Sequence, residues 1–306
     1  MAIYNEYGKL KQVILGISPR LYPSFDLPKT MLDGLDYLTI LQYKILSIIF
    51  KNRPLFSRPT NLIIEELEAF NKVLKEKNII VHRLEPILPF ENEPPGLIQM
   101  YARDPVFIIG KKVIVANMAI KMRMKEDRGY DPILKYLDTN EFEVIKMPKG
   151  DNIILEGGDI IVDHPYVYVG YGTYISTLDG ANWLQNILKD EFEVIPILIK
   201  DRSIMHLDCC MTIIGKNKGI IHRDSLAVLP QNFNNFDFIE IDSTPRKQLG
   251  ANVFVIDPET IVVQQRHVKL INDLKIRGYK VYPLSFSFNA RIGGAFRCTT
   301  CPMDRE

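Results

Sequence analysis

A short phrase recurs along this chain: an apolar β-prone run, a tight turn, a second such run, then a helix-like stretch and a further strand. Clear copies of the two-run portion are DPVFIIGKKVIVANM from Asp104, GGDIIVDHPYVYVGYG from Gly157, DCCMTIIGKNKGIIHRD from Asp208 and NVFVIDPETIVVQQRH from Asn252. The stretch YGKLKQVILGI from Tyr7 is a partial copy without a clean second strand. Turns such as Gly110-Lys111-Lys112, Asp163-His164-Pro165 and Asp257-Pro258-Glu259 separate the runs, as in β-hairpins.

Helical spacing follows. Ile63, Leu67, Phe70 and Leu74 fall on one helical face ahead of the strand-like IIVHRLEPI. DPILKYL precedes FEVIKMP, ANWLQNILKD precedes FEVIPIL, and HVKLINDLKIRGY precedes KVYPLSF. In the fourth copy the helical part, SLAVLPQNF, is short and broken by Pro230 before FDFIEID. The unit returns roughly every 50 residues, about five times. Single units of this kind cannot bury their own faces, so the expected fold is α/β: one ring-shaped domain over 1–306 built from five ββαβ units. A Rossmann sheet would need single strands alternating with helices and a Gly-rich phosphate turn, and neither is present. The segment at about 22–59 does not fit the repeat; its DYLTILQYKILSIIF reads as an inserted helix over one face of the ring.

Composition narrows the function. Lys+Arg number 38 and Asp+Glu 37, a net charge of +1 that gives no electrostatic ground for nucleic acid or an anionic membrane. No window approaches the ~18 apolar residues of a membrane span. The opening MAIYNEYGKLKQ has no signal-peptide core, so a cytoplasmic location is expected. Four cysteines, two of them adjacent, suit free thiols in a reducing compartment. Cys298-Thr-Thr-Cys301 is a CxxC, but zinc needs a second ligand pair and Cys209-Cys210 is a poor one, so no metal and no cofactor are expected. Cys209, Cys210 and Cys301 read as small buried hydrophobes.

Polar residues collect at matching places in the repeat. Asp104 lies in ARDP, Glu156 and Asp159 in LEGGD, His206 and Asp208 in MHLD, and Cys298 in GGAFRC after the final strand. In a ring these positions meet at one end. A thiol with a histidine suggests nucleophilic catalysis, the imidazole serving as acid or base. Several carboxylates around a thiol would suppress its thiolate unless they exist to grip a cation. A planar guanidinium fits best, because its forked donors match carboxylates bidentately and its charge favours the thiolate. Attack at the guanidinium carbon would give a tetrahedral adduct, with His206 placed to protonate the departing nitrogen.

ARDP, LEGGD, MHLD and GGAFRCTTCP, in this order, resemble the guanidine-modifying superfamily of five-bladed pentein α/β-propellers, which includes arginine deiminases, dimethylarginine dimethylaminohydrolases and amidinotransferases. The resemblance runs from Tyr7 onward apart from the insertion. It implies that Cys298 is the nucleophile through a thiouronium-type intermediate, that Glu156 and His206 transfer protons, that Asp104 and Asp208 hold the guanidinium, and that Arg123 meets the substrate carboxylate. LEGGD, ARDP and RCTTCP are similar to deiminases, which favours hydrolysis of a guanidinium C–N bond of arginine or a relative. NMAIKMRMKEDRGYDPILKYL and NARIGGAFRCTTC are similar to glycine amidinotransferase, so transfer of the amidino group to an amine acceptor is the alternative. The stretch GYGTYIST lacks the arginine that deiminases place there for the substrate carboxylate, which leaves agmatine-like, modified or peptide-bound guanidines open beside free arginine. A non-catalytic pentein binding protein is the third reading. The partner expected is a small guanidino molecule, with homo-oligomerisation left open.

Overall fold

The computed structural model describes residues 1–18, 57–88, 96–150, 152–172 and 176–306, together with Leu41, Ile45 and Ile49. The expected insertion at about 22–59 lies almost wholly outside the described residues.

Fifteen strands form five sheets of three among the described residues. The second sheet shows the pattern. Strand β3 (Val106–Ile109) turns back into β4 (Lys112–Val115), Val106 opposite Val115; β5 (Glu143–Lys146) then joins β4 in parallel, Lys112 beside Glu143. Gly110 takes the turn with φ of 56°, a left-handed backbone that side chains disfavour. The same hairpin-plus-parallel-strand order recurs in β6 (Ile160–Asp163), β7 (Tyr166–Tyr171) and β8 (Glu193–Leu198). It recurs again in β9 (Met211–Gly215), β10 (Lys218–Ile221) and β11 (Asp237–Glu240), and in β12 (Phe254–Asp257), β13 (Thr260–Gln264) and β14 (Lys280–Leu284).

The remaining sheet explains the partial N-terminal copy. Its β1 (Leu10–Leu15) pairs in parallel with β2 (Ile80–Arg83) and antiparallel with β15 (Thr300–Arg305), Leu15 opposite Thr300. The strand missing from the first repeat is supplied by the other end of the chain. That pairing joins the first and last units and makes the fold a five-bladed α/β propeller.

Helices connect the second and third strands. These are α1 (Ser57–Glu76), α2 (Asp131–Thr139), α3 (Leu178–Leu188) and α5 (Val268–Ile276). Ile63, Leu67, Phe70 and Leu74 of α1 are all buried, as their spacing predicts. Thr177 caps α3, its Oγ1 accepting from Gly180 N at 3.1 Å. In the fourth blade the connection contains two 3₁₀ turns, Arg223–Ser225 and Gln231–Phe233, because Pro230 prevents a longer helix. Two short helices, α4 (Ser243–Lys247) and α6 (Ser287–Ile292), precede β12 and β15.

Burial follows the layering. Strands β3, β9 and β13 are buried at every residue, whereas the third strands β5, β11 and β14 keep exposed positions. The loop leading to β15 rests on an aromatic floor: Phe70 packs edge-on against Phe286 and Phe296, with centroids 6.1 and 5.0 Å away. Glu66 of α1 also accepts from Phe288 N, Asn289 N and Asn289 Nδ2, each at 3.0 Å to Oε2. No helix among the described residues is long and apolar enough to cross a membrane.

Candidate active site

The first strand of each hairpin is β3, β6, β9, β12 or β15, and the polar residues sit immediately before these strands. Asp104 precedes β3. Glu156 opens the 3₁₀ turn Gly157–Asp159 before β6, and His206 opens the turn Leu207–Cys209 before β9. Because β15 completes the first blade, Cys298 holds the equivalent place there. Asn252 holds it in the fifth unit.

Hydrogen bonds tie these entry points into a circle. Arg103 N donates to Cys298 O at 3.0 Å, and Gly157 N to Asp104 O at 3.1 Å. Leu207 N donates to Asp159 Oδ1 at 2.8 Å, and Asn252 Nδ2 to Asp208 O at 3.2 Å. Asn252 Oδ1 accepts from Arg297 N at 3.0 Å and Cys298 N at 3.3 Å, which closes the ring. Residues far apart in sequence therefore share one end of the axis. Asp104, Glu156, His206, Asp208, Cys298 and Arg123 are none of them more than 4% exposed.

Two clusters result. In one, the reactive atoms of Asp104, Glu156 and His206 lie within 4.8 Å of one another. His206 Nε2 is 3.0 Å from Glu156 Oε2, and its Nδ1 is 3.8 Å from Asp104 Oδ1. Burial alone would discharge this imidazole, but the carboxylates of Asp104, Glu156 and Asp159 override it and hold the imidazolium well above its ordinary range. Glu156 Oε1 accepts from Ala119 N at 2.8 Å. Asp159, pushed up to about 7 by burial, accepts from Ser176 Oγ and Leu207 N and so fixes the backbone beside His206.

In the other cluster, Asp208, Cys209 and Cys298 have their ligand atoms within 4.8 Å of one another. Cys298 Sγ is 3.7 Å from Asp208 Oδ2 and 3.1 Å from Asn252 Nδ2, which donates to it. Asp208 Oδ2 also accepts from buried Arg297, whose other Nη donates to Glu6 at 2.8 Å. Against burial, which pushes it up, Arg297 holds the Glu6 carboxyl down at about 2. Each cluster has the spacing to hold a cation: a metal ion, or the forked edge of a guanidinium.

Arg123 is engaged within the protein. Its Nη1 donates to Asp104 Oδ2 at 2.6 Å, its Nη2 to Tyr101 O at 3.2 Å and its Nε to Glu126 Oε2 at 3.0 Å. The resemblance assigns this residue to a substrate carboxylate, whereas here all three nitrogens are bonded to the chain itself and the side chain orients Asp104. Asp104 keeps its other oxygen, Oδ1, buried and without a hydrogen bond. The Gly157-Gly158 pair in LEGGD has a steric cause: a Cβ on Gly157 would sit 2.1 Å from Arg103 O, and one on Gly158 2.6 Å from the His206 ring.

Three site members escape the sequence reading. Asn252 begins a repeat copy and could have been found by position, though not by residue type. Arg297 is masked by its catalytic-looking neighbour. Cys209, expected as a plain core thiol, has its sulfur beside Cys298; burial of Cys210 and Cys301 agrees with that expectation. The two ends of the CxxC part company, since Cys298 packs in one apolar core and Cys301 in another.

Comparison with known proteins agrees with this architecture. The arginine deiminase family model matches residues 89–240. YkgA of Bacillus subtilis is 28% identical over 229 residues, covering 73% of this chain and 76% of that protein. Inosamine-phosphate amidinotransferase 1 of Streptomyces griseus is 24% identical across 100% of this chain and 97% of its own. The solved structure of that amidinotransferase superposes with a TM-score of 0.85 over 99% of this chain and 96% of that one at 18% identity. The N-terminal domain of ArgZ, a cyanobacterial arginine dihydrolase, gives 0.70 at 17% identity, covering 97% of this chain and 98% of that one. The fold and these likenesses define an enzyme of the guanidine-modifying class. The chain is similar to the pentein-fold enzymes that act on guanidines, among them arginine deiminases, dimethylarginine dimethylaminohydrolases and amidinotransferases.

Proposed function

We propose that the protein cleaves a C–N bond of an arginine-like guanidine through a covalent adduct on Cys298, with Glu156 and His206 moving protons and Asp104 and Asp208 gripping the guanidinium. The observation that carries this reading is Asp104 Oδ1, a buried carboxylate oxygen without a hydrogen bond, 3.8 Å from His206 Nδ1. Such an oxygen is costly to bury unless a donor meets it, and a planar forked cation supplies donors to Asp104 and Asp208 together.

The Cys298 sulfur attacks the guanidinium carbon and forms a C–S bond. His206, kept protonated by its carboxylate neighbours, gives its proton to the leaving nitrogen as the C–N bond breaks. The thiouronium remains on Cys298, and His206 is now neutral. It takes a proton from the incoming nucleophile, whose attack forms a second tetrahedral adduct; breaking the C–S bond returns the thiolate. Asn252, donating to the sulfur, steadies the negative charge at the start and end of the cycle. Arg123 and Arg297 act by holding Asp104 and Asp208.

The second half depends on which nitrogen leaves first. If the amine-bearing chain leaves, an amidino group stays on sulfur and passes to an acceptor amine. The likeness to an amidinotransferase over nearly the whole chain, with a TM-score of 0.85 against 0.70 for the dihydrolase domain, supports transfer. If ammonia leaves, the chain stays attached and water yields a ureido product. The deiminase-family match over 89–240, with LEGGD at its centre, supports this second reading. Incubation with L-arginine or agmatine, with and without glycine or lysine, followed by mass analysis separates them. A new guanidino compound with released amine means transfer, and a ureido product with ammonia means hydrolysis. The absence of both, or turnover that survives Cys298→Ala, refutes the proposal.

A further inference from the structure

Cys209 has no task in this reaction, yet its sulfur lies beside the nucleophile. The Cys209 and Cys298 sulfurs and an Asp208 oxygen are mutually within 4.8 Å, with Cys209 Sγ 3.6 Å and Cys298 Sγ 3.8 Å from Asp208 Oδ1. Cys209 also lines a cavity of about 170 Å³ with Met205, Arg246, Lys247, Leu249 and Gly293. A water-sized molecule needs only ~10–15 Å³ of such space, so a small peroxide fits beside Cys209, whose sulfur lies next to that of Cys298. The other two cysteines are turned elsewhere: Cys210 Sγ is 3.3 Å from Leu207 O, and Cys301 Sγ is 3.8 Å from Pro302 O in β15.

From this geometry we infer that Cys209 is a resolving thiol for Cys298, and that hydrogen peroxide converts the pair into an intramolecular disulfide. The Cys298 thiolate attacks one peroxide oxygen, the O–O bond breaks, and hydroxide departs, leaving a sulfenic acid. The Cys209 sulfur then attacks the sulfenic sulfur; an S–S bond forms, the S–O bond breaks, and the hydroxyl leaves as water with the Cys209 proton. Two thiols and one peroxide give one disulfide and two waters, and an added dithiol reverses the change. A disulfide needs sulfurs about 2.05 Å apart, so closure asks for less than ~3 Å of sulfur travel, within reach of side-chain rotation. The hydrogen bond to Cys298, together with burial, keeps the Cys209 thiol protonated, which leaves the first attack on peroxide to Cys298.

The effect on activity rests on the proposed role of Cys298; the bond itself does not, and is read separately. Full-length protein is treated with hydrogen peroxide, its free thiols are alkylated, and its peptides are weighed. The expected result is a fall of two free thiols from the four present and a cross-link joining the Cys209 and Cys298 peptides, with turnover lost in step and restored by dithiothreitol. In Cys209→Ser the same treatment should carry Cys298 to the irreversible sulfinic acid. Sulfinic acid on Cys298 in the wild-type chain without a cross-link, or a cross-link to Cys210 or Cys301, overturns the inference. A Cys209–Cys298 cross-link that leaves turnover intact upholds the disulfide and refutes the proposed function.

Discussion

The two halves of the site handle buried charge in opposite ways. Around His206, acidic side chains surround a single basic ring and keep it protonated. Around Cys298, a single carboxylate stands between two thiols and is itself anchored by Arg297. Each half borrows a buried arginine, Arg123 for Asp104 and Arg297 for Asp208. The difference lies in what is left over. The first half keeps an imidazolium and a carboxylate oxygen with no hydrogen bond; the second keeps a sulfur with an amide donor. In the proposed function, one half delivers protons and receives a cation, and the other bonds to carbon.

Deleting the distinctive atom of each half tests that contrast most severely. Cys298→Ala should lower kcat by about 10⁴-fold or more, whereas Cys301→Ala, three residues away, should keep turnover at a modest cost in stability. His206→Asn should cost about 10²- to 10⁴-fold in kcat. The pH response gives the sign. A raised folded-state value keeps His206 protonated, and its contribution to stability complete, below the ordinary value of about 6.5. Both are lost only as pH rises through the raised value. Wild-type activity should therefore persist above pH 6.5 on its alkaline side, and Glu156→Gln should move that limb toward acid. An unmoved limb would remove Glu156 from the account.

Smaller changes sharpen the same contrast. Asn252→Ala removes the donor to sulfur and should lower kcat by about 10²-fold, the size typical of a preorganised donor, with KM little changed. A larger effect on KM than on kcat would make Asn252 a structural residue instead. The smallest expected effect concerns Asp159, pushed up to about 7 by burial. A raised carboxyl contributes stability below its unfolded value near 4, and that contribution is lost as pH rises through about 7. Asp159→Asn should flatten the fall in Tm between pH 5 and 8, and an unchanged slope would show that Asp159 is ionised throughout.

Much of this was legible in the chain. Hairpin turns, helical spacing and the hairpin-helix-strand order are local properties, and they predicted the five units where they stand. The fourth blade's missing helix was equally visible in Pro230. The partial first copy was not resolved by reading forward, because its partner strand lies at the other end of the chain. The positional rule that gathered Asp104, Glu156, His206 and Asp208 also covers Asn252, but an asparagine carries no titratable signal and passed unmarked. The resemblance assigns Arg123 to a substrate carboxylate; its bonds to Asp104, Tyr101 and Glu126 are contacts that only the fold reveals.

The sequence by itself determined the repeat, the residue types available for chemistry and their place at strand entries, since these depend on short-range spacing and turn chemistry. Only the tertiary structure decided that β15 closes the ring, that Arg123 and Arg297 are held by buried carboxylates, and that Cys209 rather than Cys301 faces Cys298. Those outcomes turn on which side chains meet across blades, and a chain's local pattern carries no record of distances between residues brought together only when the ring closes.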